Sequence, residues 1–115
     1  FQQGIRVGRL VVLGGQYSMD ERGLVVDDED MPRQTDNTLE FIRHILDGFG
    51  VRMQDLVEVT GFYKYSSIAP GSTPLQGRKF GPQVPPVTEA PLGTMGLEGV
   101  TLEVEGFAIV PERIP

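Results

Sequence analysis

Two glutamates near the C-terminus are the residues best spaced to do chemistry together. Glu103 and Glu105 lie in a run, residues 100–110, in which apolar and polar side chains alternate. Side chains two positions apart on a β-strand emerge on the same face, roughly 7 Å apart. A carboxyl group on such a face becomes a candidate general acid or base if burial raises its pKa, and it is an ordinary solvent-facing charge if the face is wet. Both interpretations stay open.

A glycine pair is the second feature of interest. Gly14 and Gly15 end an apolar run that begins at Leu10 and are followed by Gln16. Backbone without side chains lets a ligand approach closely, and it equally suits a bend at the end of a strand. The sequence does not decide between these two uses.

Two other polar features are less suited to a reaction. The acidic run 27–30 precedes Pro32, a pattern typical of a helix start, where carboxylates favour the positive end of the helix. His44 is the only histidine, and no second metal ligand or nucleophile lies at a helical spacing from it. We therefore expect no metal site here and a surface position for His44.

Length, charge and composition narrow the function classes. The chain has 115 residues, enough for one domain, and its charged and apolar fractions are those of a globular protein. It has no cysteine, and its net charge of -6 disfavours binding to nucleic acid or to anionic lipid. No apolar run approaches the length of a membrane helix. We expect a cytoplasmic protein that binds neither nucleic acid nor membrane.

The elements that must position these residues are strands at both ends of the chain and one helix between them. A hairpin over residues 5–13 turns at Gly8-Arg9, and two further strands cover residues 56–65 and 100–110. In the strand 56–65, alternation places Leu56 with Glu58, Thr60, Phe62 and Lys64 on one face, opposite Val57, Val59, Gly61, Tyr63 and Tyr65.

The helix follows the acidic run and ends near Gly48 and Gly50. Its apolar residues recur at helical spacing, and residues 66–86, rich in proline and glycine, are predicted to be irregular. The helical stripe consists of Leu39, Ile42, Leu46 and Phe49, widened by Phe41 and Ile45.

The ordered set of motifs resembles the RidA family, also called the YjgF-like or reactive intermediate deaminase family. Residues 1–8 are similar to its Tyr-Ser-Gln-Ala-x-x-x-Gly opening, and 10–16 to its strand ending Ser-Gly-Gln. Residues 34–42 resemble Gln-Thr-x-x-x-Leu-x-x-Ile, 50–57 resemble Gly-x-x-x-x-Asp-Val-Val, and 102–108 resemble Val-Glu-Ile-Glu-x-Ile-Ala. Each motif is weak alone, and their order and spacing are specific.

The resemblance implies a RidA/chorismate-mutase-like α+β fold, a mixed sheet backed by helices, that assembles into a barrel-like homotrimer. It also implies small-molecule clefts between subunits, in which imines and enamines derived from amino acids are hydrolysed with release of ammonia and without a cofactor or metal. In the family an arginine grips the substrate carboxylate. The first glutamate of the last motif, here Glu103, lies near the attacking water.

The sequence departs from the family at the substrate grip. Fifteen positions before Glu103, where the family has its arginine, this chain has Thr88, and a shift of one position finds Glu89. A hydroxyl cannot supply the charged, bidentate grip of a guanidinium. The opening tyrosine is Phe1, and residues 66–86 lack the family's second helix with its asparagine. The resemblance thus predicts catalytic Glu103 in a single domain, 1–115, with ligand contacts from Thr88, Gly14, Gly15, Phe1 and Tyr63.

Three functions are compatible with this set to different degrees. The first is a divergent deaminase-type hydrolase acting on imines or enamines other than the carboxylate-bearing ones. The second is a non-catalytic trimer that binds a metabolite or regulates a partner. The third, RNA cleavage, fits poorly with a net charge of -6.

Overall fold

The chain folds into a five-stranded mixed sheet with one long helix packed on one face. The computed structural model describes residues 3–78, 80 and 85–112. The strands lie in the order β1-β2-β5-β3-β4, with β3 and β4 parallel and the other neighbouring pairs antiparallel. The predicted α+β class is confirmed. The elements are β1 (Gly4–Val7), β2 (Leu10–Gln16), α1 (Met31–Gly48), β3 (Leu56–Lys64), β4 (Val87–Leu92) and β5 (Leu102–Ile109).

The first two strands form the hairpin that the sequence predicts. β1 and β2 pair from Gly4 with Leu13 to Val7 with Leu10, which leaves a two-residue turn at Gly8-Arg9. Gly8 has a φ of 61°. A residue with a side chain adopts that angle at a cost, so glycine at this position permits the tight turn.

The helix begins where the acidic run ends, as expected. Asp30 caps α1, because its carboxylate accepts a hydrogen bond of 3.1 Å from the backbone N–H of Arg33, and Pro32 lies in the first turn. His44 is exposed on the helix, as expected. Within the described part of the chain, no helix combines the length and apolar character needed to cross a bilayer.

The hydrophobic core lies between α1 and one face of the sheet. Ile42 and Leu46 of the helix belong to one buried cluster with Val11, Leu102 and Val104 of the central strands. The helix therefore covers one face only. The other face, called here the open face, carries the alternate side chains Ile5, Val7, Leu10, Val12, Glu58, Thr60, Phe62, Lys64, Thr88, Ala90, Leu92, Glu103, Glu105 and Phe107.

β3 departs from the strict alternation that the sequence predicts at its start. The register between β3 and β5 shifts between Leu56 and Glu58, and Val57 is the extra residue of this bulge. Leu56 is buried on the core face together with Val59. The prediction that Leu56 shares a face with Glu58 and Phe62 is therefore wrong, because the bulge reverses its direction.

The chain between β3 and β4 contributes to the core side of the sheet. Among the described residues of the segment 66–86 there is no α-helix. Leu75 and Phe80 are nonetheless buried in the core. The Glu89 carboxylate on β4 accepts a hydrogen bond of 2.8 Å from the backbone N–H of Leu75, which ties the segment to the sheet.

Candidate functional site

Glu103 lies on the open face of β5, with its side chain against the backbone of β2. A Cβ atom placed on Gly15 would stand 2.6 Å from Cδ and 2.9 Å from Cγ of Glu103. Non-bonded carbon atoms pack at about 3.5–4.0 Å, so the Glu103 side chain fills the space that Gly15 leaves by having no side chain. The structure therefore brings two of the predicted site residues into contact.

The glycine pair forms a bulge in β2. The register against β5 shifts between Leu13 and Gln16, so that Gly14 and Gly15 lie opposite Glu105. The buried Gln16 side chain donates a hydrogen bond of 3.1 Å to the carbonyl oxygen of Gly14. A bulge bends a strand and changes the direction of neighbouring groups. The pair is thus a strand bend that also allows the close approach of Glu103.

The two glutamates have different environments in the subunit. Burial raises the pKa of the half-buried Glu103 carboxyl, and the charge of Glu105 on the same face raises this pKa further. A carboxylate with a raised pKa is a stronger base. Glu105 is exposed. Of the two, Glu103 therefore has the environment suited to acid–base chemistry.

Thr88 lies on the same face of the sheet but at a distance from Glu103. It pairs with Thr60 of β3, which in turn pairs with Glu105 of β5. Two strand spacings separate β4 from β5, so Thr88 is about 10 Å from Glu105 and farther from Glu103. A single subunit does not place Thr88 and Glu103 around one small group.

Tyr63 lies on the other side of the sheet. Its side chain is 6 % exposed and belongs to the core. Phe62 shares the open face with Glu103, its register partner on β5. Within one subunit, Phe62 and not Tyr63 is the aromatic residue of β3 on the Glu103 side. The alternation of residues 56–65 already separates these two rings, and it was the signal that could have singled out Phe62.

Neither Phe1 nor Glu89 is among the described residues that line the open face. Phe1, predicted to wall the cleft, lies outside the described residues. Glu89, the alternative to Thr88, binds the Leu75 backbone and does not share the open face, because it alternates with Thr88 along β4. Of the two positions, Thr88 is the one on the Glu103 side.

The open face has an apolar half beside the carboxylates. Ile5, Val7, Leu10 and Phe107 are 48 %, 64 %, 37 % and 41 % exposed, and their strands are neighbours in the sheet. Val12 links them, pairing with Ile5 and with Phe107. Exposed apolar patches of this kind are typical of interaction surfaces.

A known protein family matches nearly the whole chain. The model of the family described as endoribonuclease L-PSP matches residues 1–110. Among curated protein sequences, none matches the chain.

Solved structures share the fold at low sequence identity. A candidate endoribonuclease from Thermotoga maritima is 24% identical, with a TM-score of 0.78 over 97% of this chain and 87% of that one. RidA from an Antarctic Psychrobacter species is 19% identical, with a TM-score of 0.78 over 96% and 88%. A YjgF family member from Mycobacterium tuberculosis is 21% identical, with a TM-score of 0.71 over 96% and 86%. These similarities show a common fold.

Proposed function

The chain belongs to the endoribonuclease L-PSP family, which is the YjgF/RidA family. From that premise we propose that the protein is a homotrimer. In this proposal it hydrolyses an imine or enamine in clefts between its subunits. The observation that carries the proposal is the half-buried Glu103 packed against Gly15 on an otherwise uncovered sheet face. The products are a carbonyl compound and ammonia.

The open face supports assembly from copies of the same chain. Its apolar half exposes Val7 and Phe107, among others, to water in a lone subunit. Burial of such a surface against other copies is favourable in proportion to the apolar area covered. Assembly also allows the Thr88 of one subunit to approach the Glu103 of another, which the sheet geometry forbids within one subunit.

In the proposed reaction, Glu103 acts as the general base. Its carboxylate accepts a proton from a water molecule while the water oxygen forms a bond to the imine carbon, which gives a carbinolamine. The same carboxyl group then returns this proton to the nitrogen, the carbon–nitrogen bond breaks as the carbinolamine oxygen becomes a carbonyl oxygen, and the hydroxyl proton passes to the departing ammonia. Partial burial favours this role because it raises the pKa of Glu103 towards neutral pH.

Thr88 shapes the choice of substrate in this proposal. Its hydroxyl donates and accepts single neutral hydrogen bonds, whereas a guanidinium binds a carboxylate through two charged ones. We therefore propose substrates other than the carboxylate-bearing imines that the family resemblance implies. Phe62, in register with Glu103, supplies an apolar wall.

The test is hydrolysis of a panel of imines by the purified protein and by Glu103→Ala. We expect release of ammonia above the spontaneous rate, lowered by the substitution about 100-fold or more, the scale of a lost general base. Glu58→Ala is a matched control, because Glu58 is an exposed carboxylate on the same face. Hydrolysis that is equal in the protein and in Glu103→Ala contradicts the role of Glu103.

A second candidate function is a non-catalytic trimer that holds a metabolite in the same cleft. The absence of the arginine at Thr88 favours it, because binding of a neutral molecule needs no charged grip. A ligand that binds only the folded protein raises its melting temperature. A compound that stabilises the protein and is recovered unchanged would support this alternative.

RNA cleavage, which the family description names, is disfavoured by charge. The chain has a net charge of -6, and its open face carries the carboxylates Glu58, Glu103 and Glu105. Phosphate backbones bind surfaces of the opposite charge. We expect no RNA cleavage above background in a gel assay with labelled RNA.

A further inference from the structure

We propose that the substrates of this cleft are cationic and carry no carboxylate, namely the iminium ions that form from primary amines. The inference rests on the proposed function, because it names the substrate class of that same site. It starts from the distribution of charge on the open face. Three carboxylates lie there, Glu58, Glu103 and Glu105.

The positive charge that the described strands place on this face is already in an ion pair. Among the residues of the described strands, Lys64 is the one cation whose position alternates onto the open face, at the end of β3. Its ammonium group forms an ion pair of 3.1 Å with Glu29. Arg6 of β1 alternates onto the opposite face, since it follows Ile5 in the strand. The strands thus offer an incoming carboxylate no unengaged cation on this side.

The neutral groups around Glu103 also suit a cation. Phe62 lies in register with Glu103, and an aromatic ring beside a carboxylate attracts a positive charge through its π face. Thr60 lies opposite Glu105 and brings a hydroxyl group that accepts from N–H donors, and in the proposed trimer the Thr88 of a neighbouring subunit adds a second. An iminium group therefore finds a carboxylate, a ring and hydroxyl acceptors on one surface.

The glutamate pair discriminates between substrates by charge. Glu103 and Glu105 emerge on one face about 7 Å apart. A carboxylate on the substrate would lie near both and be repelled, whereas an iminium nitrogen would be attracted by both. At that distance near a protein surface, one charge changes an affinity by about tenfold or more, and added salt reduces the effect.

The reaction of such an ion balances without an oxidant or a further reactant. The oxygen of water bonds to the iminium carbon, and one water proton goes to Glu103. That proton passes to the nitrogen, the carbon–nitrogen bond breaks, and ammonia leaves. The hydroxyl proton of the remaining carbonyl group then goes to ammonia, so that iminium and water give an aldehyde or ketone and ammonium. Iminium ions of this class are supplied by two-electron oxidation of primary amines.

A matched pair of imines tests the proposal. Isoamylamine with an amine oxidase and leucine with an amino acid oxidase give imines that share an isobutyl group and differ in the carboxylate. Ammonium release is followed continuously, and hydrolysis by the protein shortens the lag during which each imine accumulates. With oxidase rates set equal, we expect the amine-derived imine to be hydrolysed with a kcat/KM at least about tenfold higher.

The possible results distinguish the proposed hydrolase function from the proposed preference for cationic substrates. Hydrolysis of neither imine overturns the proposed function and this inference with it. Equal or faster hydrolysis of the leucine-derived imine leaves the proposed function standing and overturns the inference alone. A preference for the amine-derived imine that falls as salt is raised supports both.

Two substitutions locate the source of the preference. Glu105→Gln removes the exposed charge beside Glu103 and should reduce the preference by about fivefold or more, mainly through KM. Glu58→Gln removes an exposed carboxylate that lies in register with Phe107, two residues farther along β5, and should change the preference much less. An equal effect of the two substitutions overturns the assignment to the glutamate pair.

Discussion

The side chain of Glu103 occupies the space that any side chain on Gly15 would need. Because of a bulge in β2, Gly15 lies opposite β5. The carboxyl group of Glu103 is therefore partly buried and packs against the backbone of the neighbouring strand. The position of the proposed base therefore depends on a residue that has no functional group of its own.

Gly15→Ala should move the Glu103 carboxylate and lower imine hydrolysis. The added Cβ would stand 2.6 Å from Cδ of Glu103, and the flexible side chain must shift to relieve the overlap. A displaced base costs about tenfold or more in kcat. Gly93→Ala is the matched control, because no described atom beyond its chain neighbours lies within 4 Å of a Cβ at that position. Unchanged kcat in Gly15→Ala would mean that its contact with Glu103 does not position the base.

The stability of the protein should depend on the ionisation of Glu103. Its pKa is raised in the folded state, so the folded protein keeps this proton to a higher pH than the unfolded chain does. The ionisation penalty is absent below the ordinary pKa of glutamate, grows as the pH rises towards the raised pKa, and is complete above it. Glu103→Gln removes the penalty.

Thermal unfolding from pH 3 to pH 8 measures this effect. We expect Glu103→Gln to be more stable than the natural protein at pH 8, by less than about 1 kcal/mol because the group is partly exposed, and equal to it near pH 3. Glu58→Gln, a change at an exposed carboxylate, controls for the loss of a charge. A lower melting temperature of Glu103→Gln at pH 8 is the contrary result.

Gln34 should be a main determinant of stability. Its buried amide donates to the carbonyl oxygens of Gly99 and Asp27, at 2.8 Å and 3.0 Å, and accepts from the backbone N–H of Thr101 at 2.8 Å. These bonds join the start of α1 to the chain that enters β5. Gln34→Ala leaves several buried groups without partners, at a cost of about 2–4 kcal/mol.

Calorimetry of Gln34→Ala and of Gln54→Ala makes the comparison. We expect the melting temperature of Gln34→Ala to fall by at least about 8 °C and that of Gln54→Ala, a change at an exposed glutamine, to stay within about 2 °C. Equal melting temperatures for the two variants would show that the Gln34 network contributes little.

The apolar half of the open face should hold the oligomer together. Val7 is 64 % exposed in the subunit, and Val7→Glu places a charge in the proposed interface. By analytical ultracentrifugation we expect the natural protein to have three times the 12.6 kDa subunit mass and Val7→Glu to be a folded monomer. Leu24→Glu, at a residue 55 % exposed outside the sheet, should remain a trimer. A monomeric natural protein excludes the assembly.

Local patterns predict most of the central fold. The hairpin at Gly8, the helix after Asp30 and the alternating strand that contains Glu103 are each visible as a local signal of turn, cap or period. β4 is not predicted, because it is an edge strand that contains Pro91 and pairs in parallel with a strand distant in sequence. The bulge at Val57 is also not predicted, because a bulge is defined by the pairing of one strand with another, here β3 with β5.

The site could be predicted only in part. Glu103 follows from alternation and from the family motif, whereas its contact with Gly15 depends on a register shift that no single segment shows. Phe62 lies on the same face as Glu103, as simple alternation predicts. Because its ring has no polar group, the sequence does not single it out as a candidate site residue. Thr88 is identified only by its distance in sequence from Glu103, and the role proposed for it requires a second copy of the chain.

The most direct test of the account asks whether each cleft combines residues of two subunits. Glu103→Ala removes the base, and Thr88→Trp fills the opposite wall, so we expect each variant alone to be inactive. Mixed trimers formed by refolding the two variants together in equal amounts should regain about one quarter of the natural activity, because that fraction of clefts receives both natural residues. No recovery in mixed trimers would contradict a cleft shared between subunits.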